Sequence, residues 1–168
     1  ELWFSEFHAP DVKHSIRINK HLYSQQSDFQ RIDIFETPEF GRVLALDGNV
    51  QLTERDEFIY DEMITHVPMA VHPGIKDVLV IGAGDGGVVK ELARYERIER
   101  IDLVEMDPEV IKACRAYLPE NASRLDDRRV HIYYDNALRF IRRCSEQYDL
   151  IIVDSTDPFG PSEGYFTR

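Results

Sequence analysis

Apolar and polar positions along the chain follow two rhythms, and the change between them falls near Pro73-Gly74. Between residues 14 and 53 they alternate at a period of two, in Ile16-Arg17-Ile18, Ile32-Asp33-Ile34-Phe35, Val43-Leu44-Ala45-Leu46 and Val50-Gln51-Leu52, with Asp47-Gly48-Asn49 as a turn. Such alternation around a glycine turn predicts a small antiparallel sheet. From Asp56 to about Val71, Phe58, Ile59, Met63, Ile64, Val67 and Met69 recur at helical spacing, which predicts a helix that Pro68 ends or bends. Beyond Pro73-Gly74, strands over 77–81, 101–105, 130–134 and 148–153 alternate with helices over 88–95, 108–117 and 137–144, Pro108 standing in a first turn. That order predicts a parallel sheet with right-handed crossovers. The expected fold class is therefore α/β: an antiparallel β domain over 1–54, a connecting helix over 55–74 and a Rossmann-like sheet over 75–168. Only four strands fit before Arg168, and Ser162 to Arg168 read as the opening of another helix, so the sheet is expected to be truncated after its fourth strand.

Composition narrows the function classes. The chain has 168 residues, 43% of them hydrophobic, enough for one core with a small satellite. Its net charge of −11 argues against nucleic acid, whose phosphates are bound by Lys and Arg clusters, and suits cationic small molecules, although an acidic surface also serves solubility alone. Cys114 and Cys144 have no C-x-x-C spacing and no His companions, so neither a disulfide framework nor a zinc site is indicated and a reducing cytoplasm is expected. His66, His72 and His131 show no ligand spacing, and no metal is expected. No run of 18 apolar residues occurs, so no membrane partner is expected.

The chemistry concentrates where the strands of the second domain end. Val78-Leu79-Val80-Ile81 runs into Gly82-Ala83-Gly84-Asp85-Gly86-Gly87, a G-x-G-x-x-G loop whose glycines permit a tight turn and a close backbone approach to a nucleotide-type ligand. Asp85 is the unusual residue. Beside a pyrophosphate it would set like charges a few Å apart at a cost of roughly 1 to 4 kcal/mol, so the ligand near it is expected to be cationic. The other strands also end in polar groups: Glu105, placed to accept from both ribose hydroxyls, then Asp135-Asn136, then Asp154-Ser155-Thr156-Asp157. Asn136 suits an adenine amino group or, equally in kind, a helix N-cap. Asp85, Asp154 and Asp157 around one cavity would repel unless cations filled it, which suggests a metal site, an amine site or solvated turn residues.

In combination, Leu46-Asp47-Gly48, Gln51, Thr53 to Tyr60, Gly82 to Gly87 with Asp85, Glu105-Met106-Asp107 and Asp154 to Pro158 closely resemble the spermidine synthases, the polyamine aminopropyltransferases. The resemblance runs from about Trp3 to the last residue. It implies a methyltransferase-like Rossmann domain, a homodimer or homotetramer, and decarboxylated S-adenosylmethionine as co-substrate, with no further cofactor. Carried over by position, Gln30 and Glu105 would hold the ribose, Asn136 and Ala137 the adenine, Leu46 and Gln51 would line the donor pocket with Gly82 and Gly84, and Asp85 would hold the aminopropyl amine. Tyr60, Asp154 and Asp157 would handle the acceptor amine, Asp154 as its base, with Trp3 near the acceptor channel. The acceptor implied is putrescine, giving spermidine and methylthioadenosine; agmatine, cadaverine or a triamine are alternatives. Three positions depart from the usual pattern: Asp61 where bacterial members usually have His, Asn136 for Asp and Ala137 for Gly. Asp61 is expected either to face the acceptor tunnel and favour more highly charged acceptors, or to face solvent and do nothing. A methyltransferase would need room for a donor carboxylate where Asp85 stands, and a non-catalytic adenosine-binding module would not require Tyr60, Asp154 and Asp157 together.

Overall fold

The computed structural model describes residues 1–155. The expected turn at 157–161 and the helix expected from Ser162 lie outside the described residues.

Six strands form the N-terminal part. β1 (Leu2–Ala9) and β2 (Val12–Ile18) make a two-stranded hairpin, while β3 (Lys20–Gln26), β4 (Arg31–Thr37), β5 (Gly41–Leu46) and β6 (Asn49–Thr53) pair in sequence order as an antiparallel sheet. The β5–β6 connection turns through Asp47 (φ 50°) and Gly48 (φ 79°), two consecutive left-handed residues of the kind a tight hairpin requires. Asp47 Oδ1 also accepts from the Arg31 backbone N–H at 2.8 Å, tying the turn to β4. β1 and β3 went unread in the sequence. Much of the β1–β2 ribbon is exposed, and β3 is an edge strand whose Lys20, His21 and Ser24 to Gln26 are exposed, so neither carries a clean alternation.

The second part follows the expected order: α1 (Glu57–Val71), β7 (Asp77–Gly82), α2 (Gly87–Leu92), β8 (Arg100–Glu105), α3 (Pro108–Tyr117), β9 (Val130–Tyr134), α4 (Ala137–Arg143) and β10 (Leu150–Asp154). The four strands are parallel in the order β10-β7-β8-β9. The order reverses between β7 and β10, and the crevice at the carboxyl ends of those two strands is the ligand position of this topology. Pro68 lies inside α1, which runs on to Val71, so of the two expected effects it does not end the helix. Proline removes one hydrogen-bond donor, but the packing of Thr65 and Met69, both buried, holds the last turn in place. A 3₁₀ turn over Asn121–Arg124 was not foreseen.

Two cores result. Met69, Ile75, Val78, Val80, Val88, Leu92, Ile101, Leu103 and Ile152 fill the space between α1, α2 and the parallel sheet. Val110, Ala113, Cys114 and Leu118, on and just after α3, pack against Ile32, Ile34 and Leu44 of the N-terminal sheet.

Candidate functional site

The site is built at the sheet's switch point. β7 ends at Gly82 (φ 78°), and with Ala83 (φ 60°) and Gly86 (φ 95°) in the loop that follows, these left-handed residues turn the chain sharply into α2. Gly82 pairs in register with Asp154 of β10, and a Cβ there would overlap the Asp154 carbonyl. A Cβ at Gly84 would come 2.6 Å from Glu105 Oε2, so the loop passes close against the end of β8. These approaches bring Asp85, Glu105 and Asp154 around one crevice.

Tyr60 completes it from α1. Its hydroxyl donates to Asp154 Oδ1 at 2.9 Å. Asp154 is pushed up to about 6 by burial and by the neighbouring Asp85, with the Tyr60 hydrogen bond pulling it back. Burial of the hydroxyl and the Asp154 carboxylate raise the Tyr60 phenol, which stays protonated. Burial also raises Asp85, against the pull of the Gly87 backbone N–H that donates to its Oδ1 at 2.8 Å. Glu105 is lifted by burial to about 7 and accepts from the Asp107 backbone N–H at 2.9 Å.

Asp61 does not face solvent. It is 5% exposed, and its carboxylate lies against Gly87, where an added Cβ would overlap it. Burial, Glu57 and Asp85 push it up to about 9, so the free protein holds it largely as the neutral acid at neutral pH. Helical spacing alone could not decide this; the close approach of α1 to α2 does, because Gly87 leaves the space.

The remaining expected residues are placed as follows. Gln30 Nε2 donates to Asp107 Oδ2 at 3.1 Å, beside Ser27 Oγ, which donates to the same oxygen at 2.6 Å. Asp107 Oδ1 meanwhile caps α3 at the Glu109 N–H, 3.0 Å away. Asp107 is thus a link between the N-terminal sheet and the end of β8 that sequence reasoning missed, although Asp-Pro at the start of a helical run is a cap signature. Asn136 Oδ1 accepts from the Arg139 N–H at 3.2 Å as the N-cap of α4, the alternative role foreseen for it, and Ala137 is buried behind it. Leu46 ends β5 partly buried, and Gln51 is exposed with its Nε2 on the Asn49 carbonyl. Trp3, half exposed, lines a separate recess of about 260 Å³ with Phe4, Ile18, His21 and Phe35. Asp157 lies outside the described residues.

His66 proves more engaged than its spacing suggested. Its Nε2 meets Glu91 Oε2 at 2.9 Å and its Nδ1 the Tyr95 hydroxyl at 2.7 Å. One ligand atom each from Glu62, His66 and Glu91 lies within 4.8 Å of the others. Arg94 Nη1 stands 2.6 Å from Glu91 and 3.9 Å from Glu62, so the trio is part of an ion-pair network.

Fold and site together define a doubly-wound, nucleotide-type sheet with an acidic crevice at its switch point, joined to an antiparallel β domain. The chain belongs to the spermine/spermidine synthase family: the spermine/spermidine synthase domain matches residues 57–168 and the spermidine synthase tetramerisation domain residues 2–54. Over all 168 residues it is 61% identical to a polyamine aminopropyltransferase of Alkaliphilus oremlandii and 60% identical to one of Clostridium botulinum. It spans 59% of the length of each of these relatives. A crystal structure of spermidine synthase in complex with the transition-state analogue AdoDATO superposes on 99% of the chain, and the match takes in 57% of that protein, with a TM-score of 0.95 and 45% identity. The spermidine synthase of Thermotoga maritima gives 0.90 and 45% over 94% of the chain and 55% of its own. Among the described residues no helix is long and apolar enough to cross a membrane.

Proposed function

We propose that this protein transfers the aminopropyl group of decarboxylated S-adenosylmethionine to putrescine, giving spermidine and methylthioadenosine, in the cytoplasm and as a homodimer or homotetramer. The observation that carries the reading is the Tyr60–Asp154 hydrogen bond beside Asp85 at the sheet's switch point. Donor sulfonium, donor ammonium and acceptor amine are all cationic, and a crevice of carboxylates favours each of them over water. Adenosine would lie along Glu105, Gln30, Leu46, Gln51, Asn136 and Ala137, with Gly82 and Gly84 letting the loop close on it.

The reaction is an in-line displacement. The acceptor nitrogen attacks the methylene next to sulfur; the C–N bond forms, the C–S bond breaks, and its electron pair leaves with neutral methylthioadenosine. The nitrogen must first lose a proton. Asp154, with a pKa of about 6, is ionised at neutral pH and close enough to that pH to accept it, while Tyr60 orients the nitrogen and Asp157 helps bind it. Sulfonium is already an activated leaving group, so the step asks for positioning and charge. Asp85 would repel the carboxylate of undecarboxylated S-adenosylmethionine, which disfavours methyl transfer. Mass spectrometry of products from the full-length protein tests the reading, with either donor and a panel of putrescine, cadaverine, agmatine and spermidine. An aminopropylated putrescine is expected; methylated products, or none from any pair, would overturn it.

A further inference from the structure

Beyond Tyr60 and Asp61, α1 meets α2 again through polar side chains that take no part in the reaction proposed above. Glu62 and His66 are one helical turn apart on α1, and Glu91 approaches them from α2. Glu91 is only 5% exposed, a position that a carboxylate occupies at a cost unless positive charge meets it. Burial raises its carboxyl group, but the Arg94 guanidinium and the His66 ring outweigh burial and hold it below the usual carboxylate range. It therefore stands as a buried anion.

The three side chains have the chemistry and the spacing of a metal site. Among the described residues they are the only trio whose ligand atoms all lie within 4.8 Å of one another. Two carboxylate oxygens and an imidazole nitrogen suit zinc and neighbouring divalent transition metals, whereas magnesium and calcium take oxygen throughout. Metal–ligand bonds of about 2.0 to 2.2 Å set tetrahedral ligand atoms about 3.3 to 3.6 Å apart. His66 Nε2 and Glu91 Oε2, now 2.9 Å apart, would have to open by only about half an ångström. Tyr95 supplies an independent sign. A ligating imidazole usually donates its other N–H to a fixed acceptor that sets tautomer and ring plane, and the Tyr95 hydroxyl stands 2.7 Å from His66 Nδ1 to do so. With the proton on Nδ1, the Nε2 lone pair points at the carboxylates.

We infer that Glu62, His66 and Glu91 form a binding site for a divalent transition-metal ion such as Zn²⁺, with Tyr95 orienting His66 and Arg94 as the cation that the metal displaces. Arg94 Nη1 is 2.6 Å from Glu91 and 3.9 Å from Glu62, but its side chain is 61% exposed and can swing into water at little cost. A divalent ion brings twice its charge to the same two carboxylates. Glu62, exposed at the rim, leaves room for water in the fourth position. The ion clamps α1 to α2 one turn beyond Tyr60, and so steadies the helix that carries the Tyr60–Asp154 contact.

Full-length protein stripped with a chelator and titrated calorimetrically with ZnCl₂ tests the assignment. One ion per chain should bind with a Kd of about 10 μM or below, and Tm should climb with free Zn²⁺, as for any ligand that binds the folded state alone. Glu62→Gln, at an exposed position where the fold is not at risk, should weaken binding by about tenfold or more, as should His66→Gln; Tyr95→Phe, which removes the orienting oxygen, should weaken it by roughly tenfold. Arg94→Gln should do the reverse and tighten binding roughly two- to fivefold, because the competing cation is gone. No ion bound at about 100 μM free Zn²⁺ overturns the assignment. So does wild-type affinity in Glu62→Gln or His66→Gln, which would place the ion elsewhere, and so does weaker binding in Arg94→Gln. None of these readouts involves turnover, so failure here leaves the aminopropyl-transfer reading untouched.

Discussion

Replacing Asp61 by Asn should stabilise the ligand-free protein, and the gain should grow with pH. Asp61 ionises at about 9 in the folded chain against 3.8 for a free side chain. Below pH 3.8 folded and unfolded states both hold the proton, and the carboxyl group costs nothing on this account. Between the two values the unfolded chain releases the proton while the folded one keeps it, so the stability present at low pH is lost at about 1.4 kcal/mol per pH unit. At pH 7 the full cost would be on the order of 4 kcal/mol. Sharing of the proton with Glu57 reduces it, and an Asn amide that finds no better partner than the acid returns about 1 kcal/mol or more. The expected net gain is roughly 1 to 3 kcal/mol at pH 8, a rise of about 3 to 8 °C in Tm for a chain of this size, shrinking toward zero by about pH 4.5. Thermal unfolding of both proteins across that range, followed by circular dichroism, measures it. A difference in Tm that does not change with pH, or a loss of stability at pH 8, would refute the reasoning.

Three further outcomes are expected. Gly82→Ala should cost roughly 3 kcal/mol in urea denaturation, since the new Cβ meets both a left-handed backbone and the Asp154 carbonyl; a loss under about 1 kcal/mol would mean that β7 and β10 part easily. Asp154→Asn should lower turnover of the full-length protein by roughly 10²- to 10⁴-fold and abolish an acid limb near pH 6 in the kcat/KM profile, with little change in donor affinity measured by calorimetry. Asp107→Ala should destabilise by roughly 2 to 4 kcal/mol by thermal unfolding, through loss of the α3 cap and of the Ser27 and Gln30 bonds, whereas Asp107→Asn, which can still cap, should lose less than half as much.

The parallel sheet was legible because its strands are apolar runs closed by glycine or acidic residues, and because Pro108 announces the start of α3. β9 and α3 fall on their expected bounds. β1 and β3 were not legible, since strands exposed over much of their length need no period-two pattern. At the site, residues at strand ends could be placed from order alone: Asp85, Glu105 and Asp154 converge because the topology requires it. Residues on α1 could not. Tyr60 and Asp61 are neighbours in sequence, yet one reaches Asp154 on β10 and the other Gly87 on α2, a division set by how the helix lies between two partners. Asp107 was noticed only as part of a motif, and its linking role was not legible because it depends on Ser27 and Gln30, 80 and 77 residues away.

α3 is a helix with two interiors. Ile111 faces the parallel sheet's core, while Val110, Ala113, Cys114 and the following Leu118 supply apolar partners that Ile32, Ile34 and Leu44 meet across the N-terminal sheet. Neither part of the chain can shed the other without baring a hydrophobic surface. The boundary visible in the sequence rhythm is therefore not a boundary in cooperativity: the described chain should melt as one unit, its calorimetric and van't Hoff enthalpies agreeing. An insult to the outer sheet would then be felt as a loss of the acidic crevice itself, with the N-terminal strands serving as part of the wall against which that crevice is shaped.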